Sequence, residues 1–314
     1  MEKLFFVIPL FSLAMAGCLG PARPGTPSNL YAIGEIPTPV LNTPSFSSVF
    51  GGQDGKTLHL DGCGQIRELE FIALPQTVFK IEEAIESGKT VIFRVTTKEY
   101  SYPTAKGYFV DSRFVKTTRT EPPERPKALP PRQTILEKLI LAKGIAYTWG
   151  GNYRQGIPEL LSLYPLPADA SISPEVKSRW MLQGLDCSGL LYEATNGYTP
   201  RNTSSLVHFG VPVRIAGLQA GQIMKKVESL DIIVWPGHML IILDRERAIE
   251  SRLDCSKEKG KGPPGGVRIR PLREALNEIL ERRIPADQYG DQEETEKRKF
   301  VIRRWYGAIQ TPGG

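Results

Sequence analysis

Long hydrophobic runs are missing from the interior of this 314-residue chain. No internal stretch approaches the ~20 apolar residues that a membrane-spanning helix needs, which excludes an integral bundle. No Lys/Arg run resembles a nucleic-acid-binding arm, and the net charge of +6 implies no more than mild attraction to an anionic surface or polymer. Histidine is scarce, with three residues, so chemistry that needs an imidazole base has three places to find one. No internal repeat is present. The length suffices for two ordinary domains, each with its own core.

What is present begins at the N-terminus. "MEKLFFVIPLFSLAMAGCLG" has Lys3, then a short apolar core, then small residues up to Cys18. This is the layout of an export signal rather than of a spanning helix. Leu13-Ala-Met-Ala-Gly-Cys18 resembles a bacterial lipobox, so residues 1–18 are read as a lipoprotein signal. Cys18 would be the lipidated mature N-terminus, anchoring the protein to a membrane that faces the periplasm or cell wall. Export would place the remaining cysteines in an oxidising compartment. Cys63 and Cys255 are then able to pair, but their distance in sequence gives no geometric warrant, and two separate, partly buried thiols are an equal expectation.

Residues 19–55 are rich in Pro, Gly, Ser, Thr and Asn and read as a tether. Over 56–118 short alternating runs ("KTLHL", "IRELEFIAL", "TVIFRVTT", "GYFVDSRFV") predict a small β-barrel. "EPPERPKALPPRQ" is too rich in proline and charge to build a core, so 119–133 is read as a semi-rigid linker. A helix is expected from Thr134 with Gly144 as its stop. Residues 152–183 are irregular apart from a short helix capped by Ser173 with Pro174 in its first turn. Turns then alternate with the strands "DIIVW", "HMLIIL", "RAIES", "VRI" and "KFVIRRWY". Residues 134–314 form the second domain.

The chemistry is expected in "GLDCSGLLYEATNG" (184–197). Asp186 is a good N-cap, the helix runs from about Cys187 to Thr195, and Asn196-Gly197 stops it. Cys187 therefore meets unpaired backbone N–H groups and the positive end of the helix dipole, an environment expected to lower its pKa. The same N–H groups suit a developing oxyanion. A cysteine on a helix is otherwise a small buried hydrophobe, so the chemistry needs a base. His59 falls in the barrel region and His208 in a stretch of ordinary packing. His238 opens an apolar strand after a Pro-Gly turn, and Glu250 stands twelve residues on, across "DRER", where antiparallel pairing brings it to the imidazole. A glutamate at an apolar strand end costs energy unless it is paired.

"YTWGG" (147–151), "DCSGL" (186–190), "TPRNTS" (199–204), "GHM" (237–239) and the position of Glu250 together resemble the NlpC/P60 cysteine peptidases of bacterial cell walls, over about 134–306. The resemblance implies an α+β, papain-like catalytic domain with the cysteine helix packed on an antiparallel sheet. It implies Cys187 as nucleophile, His238 as base, Glu250 as the orienting residue and Tyr147 as an oxyanion partner. Asp186, Ser188 and Trp149 would bind substrate, the first two at the peptide's amino end. "GYFVDSRFV" resembles the end of a bacterial SH3-like domain, a module for wall binding or groove shaping.

Three features depart from the family pattern: a glutamate stands where a histidine is commonest, the segment from Gly151 to Asp186 is long enough to add a wall or lid, and a glutamine after "PRNTS" is absent. The implied activity is hydrolysis of peptidoglycan stem peptides, at the γ-D-glutamyl–diamino acid bond, with no metal or cofactor and no nucleic-acid partner. The alternatives are an N-acetylmuramoyl-L-alanine amidase with the same Cys–His pair, and a non-catalytic wall-binding lipoprotein.

Overall fold

The computed structural model describes residues 30–52, 56–166, 173–255, 265–290 and 298–308. Cys18 and the signal segment lie outside these residues. Within them the chain is α+β, with two seven-stranded sheets whose strands pair antiparallel except at one edge. No helix among the described residues is long and apolar enough to cross a membrane.

The first sheet contains β1 (Tyr31–Gly34), β2 (Thr38–Leu41), β3 (Leu69–Ala73), β4 (Val78–Ser87), β5 (Thr90–Thr96), β6 (Tyr108–Asp111) and β7 (Val115–Thr118) in the order β3-β2-β6-β5-β4-β1-β7. β4 shows why it is a strand: Phe79 and Ile81 are buried while Lys80 and Glu82 face outward, the period of two of a half-buried strand. Its ladder with β5 is irregular between Ile81 and Glu83, and the β2–β3 ladder between Val40 and Leu41, which bends the sheet. The path is open: no ladder joins β3 to β7, so the expected closed barrel is not formed.

The tether expected over 19–55 is corrected in its second half. β1, β2 and the short helix α1 (Phe46–Val49) belong to the first folded unit, with Ala32, Val40, Leu41 and Phe46 buried. Four-residue strands separated by Pro, Gly and Ser turns carry too little periodicity to stand out from a loop-like composition.

The second sheet runs β10 (Val211–Val213), β16 (Lys299–Arg304), β11 (Ile232–Trp235), β12 (His238–Ile242), β13 (Arg247–Leu253), β14 (Gly265–Pro271), with β15 (Ile284–Pro285) parallel to β16. Helices α2 (Arg132–Leu141) and α5 (Cys187–Ala194) pack on Met239, Ile241 and Ile249 on one face. Helices α7 (Ala220–Ile223) and α8 (Leu272–Leu280) pack on Leu240, Ile242 and Ala248 on the other. Both faces are covered, which is why these strands read as continuous apolar runs.

Between the two units lie the two-residue pair β8 (Asn152–Tyr153) and β9 (Gly184–Leu185), helix α3 (Glu159–Leu163) and helix α4 (Pro174–Trp180). Helix α6 (Thr203–Leu206) follows α5. Ile157, Leu160, Trp180 and Leu182 share a core with Phe46 and Phe71, so the long segment before the cysteine docks on the first sheet. The edge of β3 is closed by one side chain. Ile72 N–H donates to Asn152 Oδ1 (2.9 Å) and Asn152 Nδ2 donates to the Ile72 carbonyl (2.8 Å), replacing a neighbouring strand. The proline-rich linker is docked as well. Arg125 pairs with buried Glu99 (3.2 Å) and donates to the carbonyls of Asn196 (3.1 Å) and Gly197 (3.3 Å), a cation at the C-terminus of α5.

A disulfide joins Cys63 to Cys255 across 192 residues, linking the loop before β3 to the end of β13. The alternative of two separate thiols is thereby set aside. Sequence distance carries no information here because only the tertiary fold brings the two loops together.

Candidate active site

Helix α5 starts as the sequence predicts. Asp186 is extended (φ −88°, ψ −175°) and its side chain accepts the Gly189 N–H at 2.7 Å, capping the helix. Gly189 is required for a close approach: a Cβ there would run into the Gly151 carbonyl oxygen, so the helix seats directly on the turn that follows Tyr147. Cys187, at the first helical position, is 8% exposed and is the single free thiol among the described cysteines. The backbone N–H groups of Ser188 and Met239 donate to its sulfur. Met239 follows His238, so the sulfur lies beside the strand segment that carries the imidazole.

The expected lowering of the thiol pKa is not what this environment produces. Burial pushes the Cys187 thiol up to about 12, with the adjacent Asp186 carboxylate acting in the same direction. Arg201 and the two N–H donors act against this shift without reversing it. The dipole of a helix N-terminus is outweighed by the desolvation that a tightly packed helix imposes. Ionisation of Cys187 therefore has to be coupled to a proton acceptor.

His238 opens β12 beneath a turn held by Thr203, whose Oγ1 accepts the Gly237 N–H at 2.9 Å. The imidazole Nε2 lies 2.7 Å from Glu250 Oε2. The expected antiparallel pairing of β12 and β13 brings the two together, and Glu250 is 2% exposed. Burial would raise the Glu250 pKa, but the bonds and charges of His238 and Arg268 outweigh it and hold the carboxyl down to about 2. A carboxylate on Nε2–H leaves Nδ1 as the nitrogen with a free lone pair. Among the described residues, no hydrogen bond joins Nδ1 to the Cys187 sulfur. The Trp235 ring lies against the imidazole in a tilted arrangement, with centroids 5.4 Å apart and planes at 57°. The other histidines stand aside: His59 is exposed and paired with Glu68 (2.7 Å), and His208 is exposed beside Tyr289.

Tyr147 is 8% exposed, and burial together with the Asp186 and Cys187 charges pushes its phenol well above the ordinary range. It stays a protonated O–H donor close to the thiol. Trp149 is 38% exposed, with the Arg67 guanidinium 4.2 Å from its ring centroid and its backbone N–H donating to Gln65 Oε1 (2.8 Å). One face of Trp149 is thus occupied by the first unit.

Asp186 and Ser188, expected at the peptide's amino end, are engaged inside the protein. Arg201, 4% exposed, donates to Asp186 Oδ1 (3.0 Å) and Oδ2 (2.5 Å), to Ser188 Oγ (2.8 Å) and to Asn152 Oδ1 (3.0 Å). Burial works against the Arg201 charge, but Asp186 more than offsets it and holds its pKa above the ordinary value. Arg201 is a residue that sequence reading passes over, although it stands in the quoted "TPRNTS". The residues after it also support the site. Asn202 caps α6 and donates to Tyr100 Oη (3.1 Å), and Thr203 holds the His238 turn. The available signal is an arginine in a stretch otherwise made of small capping residues.

No protein-family model matches the sequence, and no curated protein matches it. Several solved structures are similar, three of which follow. An NlpC/P60 family protein from Bacillus cereus is 13% identical, with TM-score 0.31, over 88% of this chain and 63% of that one. RipD from Mycobacterium tuberculosis, described as a non-catalytic NlpC/p60 domain protein adapted to peptidoglycan binding, is 15% identical, with TM-score 0.27, over 45% of this chain and 92% of that one. NlpC1 from Trichomonas vaginalis is 10% identical, with TM-score 0.28, over 88% and 69%. All three are NlpC/P60 proteins. The chain spans 63% of the length of the first. At these identities and TM-scores the likeness transfers neither activity nor substrate, so the functional reading rests on the residues themselves.

Proposed function

We propose that the protein is a cysteine peptidase acting on peptidoglycan stem peptides. The observation that carries this reading is a thiol at the capped start of α5, touched by the N–H next to His238, whose Nε2 is already held by a buried carboxylate. An imidazole so held is oriented to take the thiol proton through Nδ1. The resulting thiolate attacks the scissile carbonyl, the oxyanion meets the Cys187 and Ser188 N–H groups and the Tyr147 hydroxyl, and the imidazolium returns its proton to the leaving amine. Water then hydrolyses the acyl-enzyme with the imidazole again as base. Asp186 and Ser188 are read here as residues that, with Arg201, hold the cysteine turn. The substrate class, and γ-D-glutamyl to diamino acid as the favoured bond, are what the resemblance of the motifs around Cys187 and His238 to the NlpC/P60 peptidases implies.

The first unit is read as an SH3-like module with an opened barrel, and residues 1–18 as a lipoprotein signal ending at Cys18. The Cys63–Cys255 disulfide suits an exported protein. Cys18→Ser should release a membrane-bound protein into the soluble exported fraction; retention in the membrane after a salt wash would refute the anchor. The decisive assay is digestion of purified peptidoglycan by protein lacking residues 1–18, with fragments read by mass spectrometry. Free L-alanyl-D-glutamate ends support the favoured bond, and intact stem peptides released from glycan indicate an amidase. No cleavage, together with retention of the protein on the sacculus, indicates a binding module.

A further inference from the structure

β14 carries two arginines that the catalytic reading does not use. Val267 is buried on it, while Arg268 and Arg270 occupy alternate positions. Arg268 is directly opposite Glu250 in the ladder, and Arg270 lies two residues on, within diagonal reach. Both arrive on the same carboxylate oxygen. Oε1 of Glu250 accepts Arg268 Nε at 2.9 Å and Arg270 Nη1 at 3.1 Å, with Arg268 Nη2 also 2.9 Å away. Oε2 is left to His238. Arg270 is shared, since its Nη2 donates to Glu278 (2.6 Å), which also accepts Arg252 Nη1 (2.8 Å). Among the described residues, Arg268 forms its ion pair with Glu250 and no other carboxylate.

A buried carboxylate acting alone on an imidazole favours the imidazolium strongly. An imidazolium held too firmly neither accepts the thiol proton nor exchanges it with a leaving amine. Two guanidiniums on the far oxygen keep Glu250 ionised and in place while drawing its charge away from the ring. Among the described residues, the other groups beside His238 are the Cys187 thiol from α5, which the N–H of neighbouring Met239 approaches, and the Trp235 ring, which has the Arg283 guanidinium over it at 4.4 Å. Neither supplies a negative charge while the thiol is protonated. Glu250 is thus the carboxylate bonded to the ring, and its arginines set how much of its charge the imidazole feels.

We propose that Arg268 and Arg270 are positioning residues of the site, which hold Glu250 ionised and in place while offsetting its charge, and so set the basicity of His238. This rests on the reading of His238 as the base for Cys187.

The test uses NMR pH titration of His238 in Cys187→Ala protein, alone and combined with Arg268→Gln or Arg268→Lys, and does not require turnover. With Arg268 partly exposed, Arg268→Gln is expected to raise the His238 pKa by about 0.5–1 unit and Arg268→Lys to restore most of that shift. With Cys187 present, the acid limb of peptidoglycan hydrolysis should move up by the same amount in Arg268→Gln, because the imidazole acts in its neutral form. An unmoved titration in Arg268→Gln overturns the proposal even where hydrolysis is normal. A shift that Arg268→Lys fails to reverse overturns the charge explanation. A shifted and restored titration in a protein that never cleaves peptidoglycan supports the charge balance and refutes the enzyme reading instead.

Discussion

At the scale of single residues, the site depends on a thiol that is poorly ionised by itself. Burial holds Cys187 near 12, so at neutral pH its reactivity should follow His238. Alkylation of the native protein lacking residues 1–18 should modify one cysteine, Cys187, because Cys63 and Cys255 are paired. His238→Ala should slow that labelling at pH 7 by ~10-fold or more; equal rates would mean that the imidazole does not accept the thiol proton. Cys187→Ala should abolish hydrolysis and leave the circular dichroism spectrum unchanged. Glu250→Gln keeps an acceptor and should reduce hydrolysis less than Glu250→Ala, with neither loss exceeding the ~10²–10⁴-fold expected for removing the base itself. Glu250 also links pH to stability. Its folded pKa of about 2 lies below its ordinary 4.5, so its contribution is fully present above pH 4.5 and is lost as pH falls toward 2. Glu250→Gln should be less stable at pH 7 and lose less between pH 4.5 and 2, as read by urea midpoints.

At the scale of elements, the geometry of the proposed site is the seating of α5 on the turn after Tyr147 and on β12. Gly189→Ala should force the helix off the Gly151 carbonyl and cost about 1–3 kcal/mol, with activity falling together with stability. Asp186→Ala removes the helix cap and also leaves Arg201 buried without its carboxylate, so it should cost more, about 3–5 kcal/mol. A denaturation midpoint for Asp186→Ala no lower than that of Gly189→Ala would contradict the weight placed on the Arg201 network. The same elements show how the cysteine reaches its neighbours: Arg201 ties α5 to Asn152, and Asn152 ties both to the edge of β3.

At the scale of the whole molecule, the two sheets are joined three times over. Asn152 closes β3, Arg125 of the linker joins Glu99 to the end of α5, and the Cys63–Cys255 disulfide joins the loop before β3 to the end of the strand that carries Glu250. The disulfide spans 192 residues, and removing it should cost about 2–5 kcal/mol. Cys63→Ser/Cys255→Ser protein should therefore melt ~5–15 °C lower than the parent, and added reductant should have the same effect on the parent alone. Melting that is indifferent to both changes would mean that the two units are held by their shared core without the crosslink.

Local signals lie in the chain itself. Asp186 as a cap, Cys187 at a helix start, the Asn196-Gly197 stop, the His238 strand edge and Glu250 one hairpin away are all legible because capping, turn chemistry and antiparallel pairing act over a few residues. The four-residue strands β1 and β2 escape such reading, since they are shorter than the periodicity that would identify them. Three features needed the tertiary structure: the desolvation that raises the Cys187 pKa, the partners Arg201 and Arg268, and the pairing of Cys63 with Cys255. Each is set by which distant segments are pressed together, and burial and Coulomb interactions depend on distance in space, which the order of residues does not encode.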